Sequence, residues 1–274
     1  LANSELPVGS LVEFLNVGLR SGSWDTLNPY QLILDQQNWN LIIHEHNGLI
    51  LLEWEPVGDQ NTAANQQLIS QALTELQSSR TIKELLQNTA RRIKTIIGYD
   101  RVMVYRFEAD WHGHVVAEEK ADHLEAYLGL HYPASDIPRQ ARELYKINLV
   151  RQIADATSTP SRILSETDWP ADQQLDLTHS VLRAVSPVHI EYLGNMGVQA
   201  SMSISLLYRG ELWGLISCHN YQPRFVDFSA RQAAKFVSQL LSAALEFRKD
   251  EEDQTNLLKY RQYGQYIHQQ LLID

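Results

Sequence analysis

The chain has 274 residues, 44% of them hydrophobic and 20% charged, with a formal net charge of −10. This length suits one large domain or two modest ones around an ordinary buried core. An acidic balance with no Lys/Arg cluster argues against a nucleic-acid-binding face, no apolar run reaches the ~18 residues that cross a bilayer, and a single cysteine, Cys218, excludes an internal disulfide framework.

The first 56 residues predict a small α+β unit. Val8–Leu19 reads as a short helix, Tyr30–Leu34 and Leu41–His44 as strands, and Leu49–Leu52, after Gly48, as a buried strand. The stretch from Pro56 to Thr62 is turn-like. Leu68, Ile69, Ala72, Leu73 and Leu76 then follow helical spacing. Thr81 with Glu84 fits a capping box opening a second helix, with Gly98 where a C-cap belongs. Arg101–Phe107 and His114–Glu118 read as strands. Residues 120–180 read as loops and short helices punctuated by Pro133, Pro138, Pro160 and Pro170. Ala200–Tyr208 is a strand in which Met202, Ile204 and Leu206 alternate with Ser201, Ser203 and Ser205. Arg209-Gly210 suits a hairpin turn into Leu212–His219. Phe228–Phe247 predicts a long amphipathic helix that runs on through the acidic stretch 250–253 toward Leu271. The order predicts an antiparallel sheet with helices on one face and a loop-rich lid on the other, and a pocket between sheet and lid.

Four groups of residues carry chemistry. In the segment His131–Pro138, two prolines brace Asp136, which presents its acceptors to a fixed target or caps a local turn. Arg151 and Arg183 suit a ligand with two carboxylate arms; the competing outcome is a pair of surface ion pairs. The serine stripe is a solvated face unless something covers it. Among the histidines, His112 and His114 lack further ligands for a metal, and strand alternation turns Cys218 and His219 to opposite faces, which argues against a nucleophilic dyad.

Three long motifs carry a family resemblance: Pro133–Pro138 (Pro-Ala-Ser-Asp-Ile-Pro), Ser186–Gly197 around His189, and Leu212–His219. In their order and spacing the chain resembles the chromophore-binding region of bacterial phytochromes. The resemblance implies a partial PAS domain over 1–56, a GAF domain over 59–248, and an exit helix over 249–274 leading to a PHY domain and an output domain such as a histidine kinase. It implies a red/far-red photoreceptor module, not itself an enzyme, that binds a linear tetrapyrrole and signals by its photoisomerisation. A GAF domain binding another small ligand, such as a cyclic nucleotide, is the competing function.

The resemblance also implies roles. Asp136 brings its backbone carbonyl near the pyrrole nitrogens, and His189 stacks near the inner rings. Arg151 and Arg183 grip the propionates, assisted by Tyr145, Ser186, Ser201 and Ser203. Tyr105, Tyr132 and Tyr192 surround the D ring, His219 bonds its carbonyl, and Met103 and Ile137 pack on the ring system. Many family members attach the bilin through a Cys just before this histidine, where Val188 stands here. Bacterial members use a Cys ahead of the PAS domain, upstream of the first residue here. The pattern favours biliverdin over phycocyanobilin. Expected partners are the bilin and a second copy through the C-terminal helix, with neither nucleic acid nor membrane, in the cytoplasm.

Overall fold

The computed structural model describes residues 8–58, 62–164 and 175–271. The first unit is a three-stranded antiparallel sheet in the order β1 (Tyr30–Leu34), β2 (Gln37–His46), β3 (Leu49–Pro56). Helices α1 (Val8–Ser21) and α2 (Trp24–Leu27) cover one face, where Trp24, Leu32, Leu41 and Ile43 are buried and Phe14, Tyr30 and Trp54 pack against them.

The strand Leu49–Leu52 forms, but it is not buried. Ile50 and Leu52 are 40% and 41% exposed, and the buried positions of β3 are Glu53 and Glu55. Alternation turns those two carboxylates toward the second unit, and each finds partners there. Glu53 accepts from the amides of Val181 and Leu182 at 3.1 and 2.7 Å, and Glu55 pairs with Arg231.

The second unit opens with α3 (Thr62–Ser78) and α4 (Ile82–Ile97). The capping box at α4 is complete, with Thr81 and Glu84 satisfying each other's backbone amides, and Gly98 closes the helix at φ 66. The sheet consists of β4 (Arg101–Phe107), β5 (Gly113–Lys120), β6 (His131–Tyr132), β7 (Val150–Ile153), β8 (Ala200–Tyr208) and β9 (Glu211–Asn220). Its order is β6-β5-β4-β9-β8-β7, antiparallel throughout. Between these strands lie α5 (Arg139–Ile147) and α6 (Pro187–Asn195), and the described chain ends in α7 (Phe228–Leu271). The edge strands β6 and β7 and the helix α6 have no clear periodicity in the sequence. They are two, four and nine residues long, too short for a pattern to stand out.

Helices α3, α4 and α7 pack on one sheet face around Ile93, Val102, Val104, Met202, Ile204, Leu206, Ile216 and Cys218. The Arg209-Gly210 turn has φ of 51 and 79, the left-handed pair that matches strand twist in a tight hairpin. One facing expectation needs correction. Strict alternation in β9 puts Trp213 with His219 and Leu212 with Cys218. A bulge intervenes, because Leu206 pairs Gly214 while Leu207 pairs Leu212, leaving Trp213 as the extra residue. Leu212 therefore joins Leu215 on the far face, and Trp213 packs against the helix-side core. Ile216 to His219 keep their expected faces.

Candidate functional site

The sheet face opposite α3, α4 and α7 reads in rows. One row runs Ile153, Ser201, His219, Arg101, Lys120, and the next Arg151, Ser203, Ser217, Met103, Glu118. Directly opposed residues on neighbouring strands share a face. The serine stripe thus lies at the centre of a floor that is cationic at the β7 edge and aromatic toward β4. It is a covered floor: Ser201 and Ser205 are buried and Ser203 half-buried. Ser205 Oγ donates to the Tyr145 carbonyl at 2.7 Å, which fastens the end of α5 over it.

At the cationic edge, Arg151 pairs with Ser203 across β7 and β8. Its Nε and Nη2 are buried with no hydrogen-bond partner, and its Cζ lies 4.9 Å from the centre of the Tyr145 ring. Burial first, and the neighbouring Arg183 cation second, lower its pKa. Arg183 approaches from the loop before α6 and spends Nη1 on the carbonyls of Leu177 and Thr178, at 3.1 and 3.0 Å. No carboxylate pairs with either guanidinium among the described residues. The surface ion pair, the common fate of an arginine, is realised at neither position. A half-buried cation with two buried, unpartnered nitrogens beside a second cation has the chemistry to receive a dianion.

The other side of the floor is aromatic. Met103, Tyr105, Phe107, Val115, Leu212 and Leu215 form a buried cluster, with Tyr127, Tyr132, Ile137 and Tyr145 packed against it. Tyr105 lies edge-on to Phe107 at 5.4 Å and 6.1 Å from Tyr132. Gly113 on β5 makes room for this ring, because a Cβ there would overlap it. Asp136 ends a one-turn 3-10 helix, Ala134–Asp136, that starts from Pro133. Pro138 caps α5, and Arg142 Nη1 holds the loop by donating to the Ile137 carbonyl at 2.7 Å. The Asp136 carboxylate is exposed and stands near the Tyr192 side chain. Burial, followed by this carboxylate, pushes the Tyr192 phenol up to about 12; the same two causes raise Tyr105.

Between the two ends stand the histidines. His189, in the first turn of α6, stacks on Tyr192 with ring centroids 6.2 Å apart, and burial lowers its pKa. His219 is 6% exposed, with Nδ1 buried and unpartnered and Nε2 3.3 Å from Ser217 Oγ. Burial, then Arg101, then His189 push its pKa down to about 3. Ser186 occupies the exposed N-cap position of α6 without a capping bond, at the rim of the cleft. Cys218 is fully buried on the opposite face, its thiol pKa raised by desolvation, so it forms no dyad with His219. Residues 112 and 114 belong to no metal-binding group among the described residues.

Sequence reasoning missed Arg101, Glu118, Tyr127 and Ser217. Arg101 shares odd-numbered alternation with Met103, Tyr105 and Phe107, and that signal could have found it. A groove of about 740 Å³ lies elsewhere, between β1, α3 and α7, and is lined by residues such as Gln31, Asn40, Ile69 and Phe236. Its charged side chains, Asp25 and Lys235, are not buried, so nothing there demands a ligand.

The antiparallel sheet carries helices on one face and the polar and aromatic floor on the other, and the GAF domain model matches residues 81–245. The chain is 44% identical over 234 residues to cyanobacterial phytochrome B of a Nostoc species, covering 83% of this chain and 31% of that protein. It is 40% identical over 239 residues to the bacteriophytochrome of Pseudomonas aeruginosa, covering 86% of this chain and 33% of that protein. The chromophore-binding domain of a Stigmatella aurantiaca phytochrome superposes with a TM-score of 0.79 at 40% identity, covering 86% of this chain and 80% of that one. The photosensory core module of a phytochrome from the same organism gives 0.84 at 39% identity, covering 93% and 52%. The chain belongs to the phytochrome family, and it spans about a third of the length of the full-length relatives it matches. No described helix is long and apolar enough to cross a membrane.

Proposed function

We propose that this chain is a red/far-red light-sensing module that holds biliverdin in the cleft over Ser201, Ser203 and His219. One observation carries the reading: Arg151 holds two buried guanidinium nitrogens without a partner beside Arg183, and no carboxylate among the described residues meets either. A linear tetrapyrrole has two propionate arms and an extended apolar ring system. The arginines, with Tyr145, Ser201 and Ser203, suit the arms; Ser186 joins them from the rim. Met103, Tyr105, Tyr132, Ile137 and Tyr192 suit the rings. The bilin supplies light absorption and photoisomerisation; the protein orients it, excludes water and sets the hydrogen bonds around it. Val188 supports biliverdin over phycocyanobilin, because this position is 75% exposed and carries no thiol.

The three-stranded unit fits a partial PAS domain over 1–56, with the GAF domain spanning 59–248. The helix from 249 leads to PHY and output domains in the longer protein, which we place in the cytoplasm. Leu258, Tyr260 and Tyr263 are 59%, 73% and 66% exposed on α7, and they support a homodimer contact there. The companion positions Leu257 and Ile267 have side chains outside the described residues. A clean monomer by light scattering at high concentration would sink the dimer.

The test is colour. Apo-protein mixed with biliverdin is expected to develop a sharp red absorption band that red light converts. No band, together with a cyclic-nucleotide-dependent rise in Tm, would establish the competing reading.

A further inference from the structure

Arg101 opens β4 and is among the largest fully buried side chains, 1% exposed. Strand register sets it directly opposite His219, on the floor face with Met103 and Tyr105. Its Nη1 meets Glu118 Oε1 at 2.6 Å, its Nη2 donates to the Glu125 carbonyl at 2.7 Å, and its Cζ lies 3.6 Å from the centre of the Tyr127 ring. The second oxygen of Glu118 accepts from the amides of Tyr127 and Leu128 at 2.9 and 3.0 Å. A guanidinium held at this many points does not swing out to water. Its charge stays beside His219.

Among the described residues, the surroundings of His219 contain no free acid. Arg101 faces it from β4 and His189 from α6; Ser201 lies opposite on β8, and Ser217 is on its own strand. Lys120 ends the same row beyond Arg101. Glu118, in the next row, is committed to Arg101 and two amides. Protonating His219 would place a second positive charge in a desolvated position with no anion to meet it.

We propose that Arg101 is a positioning residue of this site, holding the His219 imidazole uncharged throughout the physiological pH range. A neutral ring offers one donor and one acceptor, whereas a charged one offers two donors. Only the consequence rests on the bilin reading: His219 then hydrogen-bonds a chromophore carbonyl without exchanging a proton, and proton exchange falls to other groups.

The experiment needs no chromophore. The ring nitrogens of His219 are followed by NMR in the full apo chain from pH 4 to 8, with His219→Asn to assign them. The wild type is expected to stay neutral across the range. Arg101→Gln is expected to raise the midpoint by about one unit or more, so that His219 becomes partly protonated at the acid end. Arg101→Lys keeps a cation and is expected to follow the wild type. The double variant R101Q/E118Q removes the buried pair while keeping hydrogen-bonding groups, and should R101Q alone fail to fold it is expected to show a smaller rise of the same sign. A wild-type His219 that titrates above pH 5 overturns the proposal with no variant required. So does a profile in the Gln variants that superimposes on the wild type. Failure of biliverdin to bind would overturn the proposed function and leave these titrations readable.

Discussion

Glu55 on β3 and Arg231 on α7, 176 residues apart in the chain, meet as an ion pair at 2.7 Å with 1% and 3% of their side chains exposed. Arg231 also donates Nη1 to the Val226 carbonyl at 2.7 Å, whereas Glu55 Oε1 has no partner. This pair ties the three-stranded sheet to the helix that leaves the domain. Removing one partner strands a buried charge, so Glu55→Ala is expected to cost about 3–5 kcal/mol in chemical denaturation. The double change E55M/R231M, which removes both charges, is expected to cost much less. Equal losses in the single and double variants would show that the charges are not coupled.

Glu55 also sets a pH dependence. Burial raises its pKa, with Arg231 opposing. Between the ordinary carboxyl value of 4.5 and the higher folded value, the folded state holds a proton that the unfolded state has released. Stability from this group is therefore full below 4.5 and falls as pH rises through the folded pKa. Urea melts across this window are expected to show that fall in the wild type and a flatter profile in Glu55→Gln.

Arg151 keeps two buried nitrogens without a partner in the apo-protein. Arg151→Met removes two buried unsatisfied nitrogens, and the apo-protein is expected to gain stability, by about 1–3 kcal/mol at most. The same variant, like Arg183→Ala, is expected to weaken biliverdin binding about ten-fold or more. Unchanged affinity in both arginine variants would remove them from the site.

Asp136 and His189 are expected to influence proton positions more than affinity. Asp136→Ala and His189→Ala are expected to bind pigment but convert poorly between red and far-red forms. In the apo-protein, Asp136→Asn is expected to bring the Tyr192 phenol down from about 12, with burial holding part of the rise. Ultraviolet titration of the phenolate, with Tyr192→Phe as reference, reads this. Full photoconversion in both alanine variants would refute the assignment.

Cys218 is fully buried among Met202, Ile204 and Ile216, away from the cleft. Within residues 1–274 the bilin is therefore expected to bind without a covalent bond. After reconstitution and denaturing electrophoresis, zinc-enhanced fluorescence should leave the protein band dark, and a thiol reagent should label Cys218 only after unfolding. A fluorescent band at the mass of this chain would show a thioether through Cys218.

Much of this protein is determined by local sequence. The capping box Thr81/Glu84, the hairpin turn at Arg209-Gly210 and the strict alternation of β8 are short-range devices. Their physical causes lie within a few residues, so a single sequence displays them. The same holds for the proline-braced loop at Asp136 and for the opposed faces of Cys218 and His219. Tertiary structure decided the rest. The bulges that move Trp213 and Val116 out of register arise from pairing between strands, which no single strand encodes. Glu53 and Glu55 are buried because partners from residues 181, 182 and 231 come to meet them, and without those partners alternation alone would have exposed charge to the core. Arg101 and His219 are separate motifs in the chain and one electrostatic unit only where β4 lies beside β9. Local geometry is set by nearby atoms; burial, and with it the strength of every charge in the cleft, is set by what the whole chain folds around it.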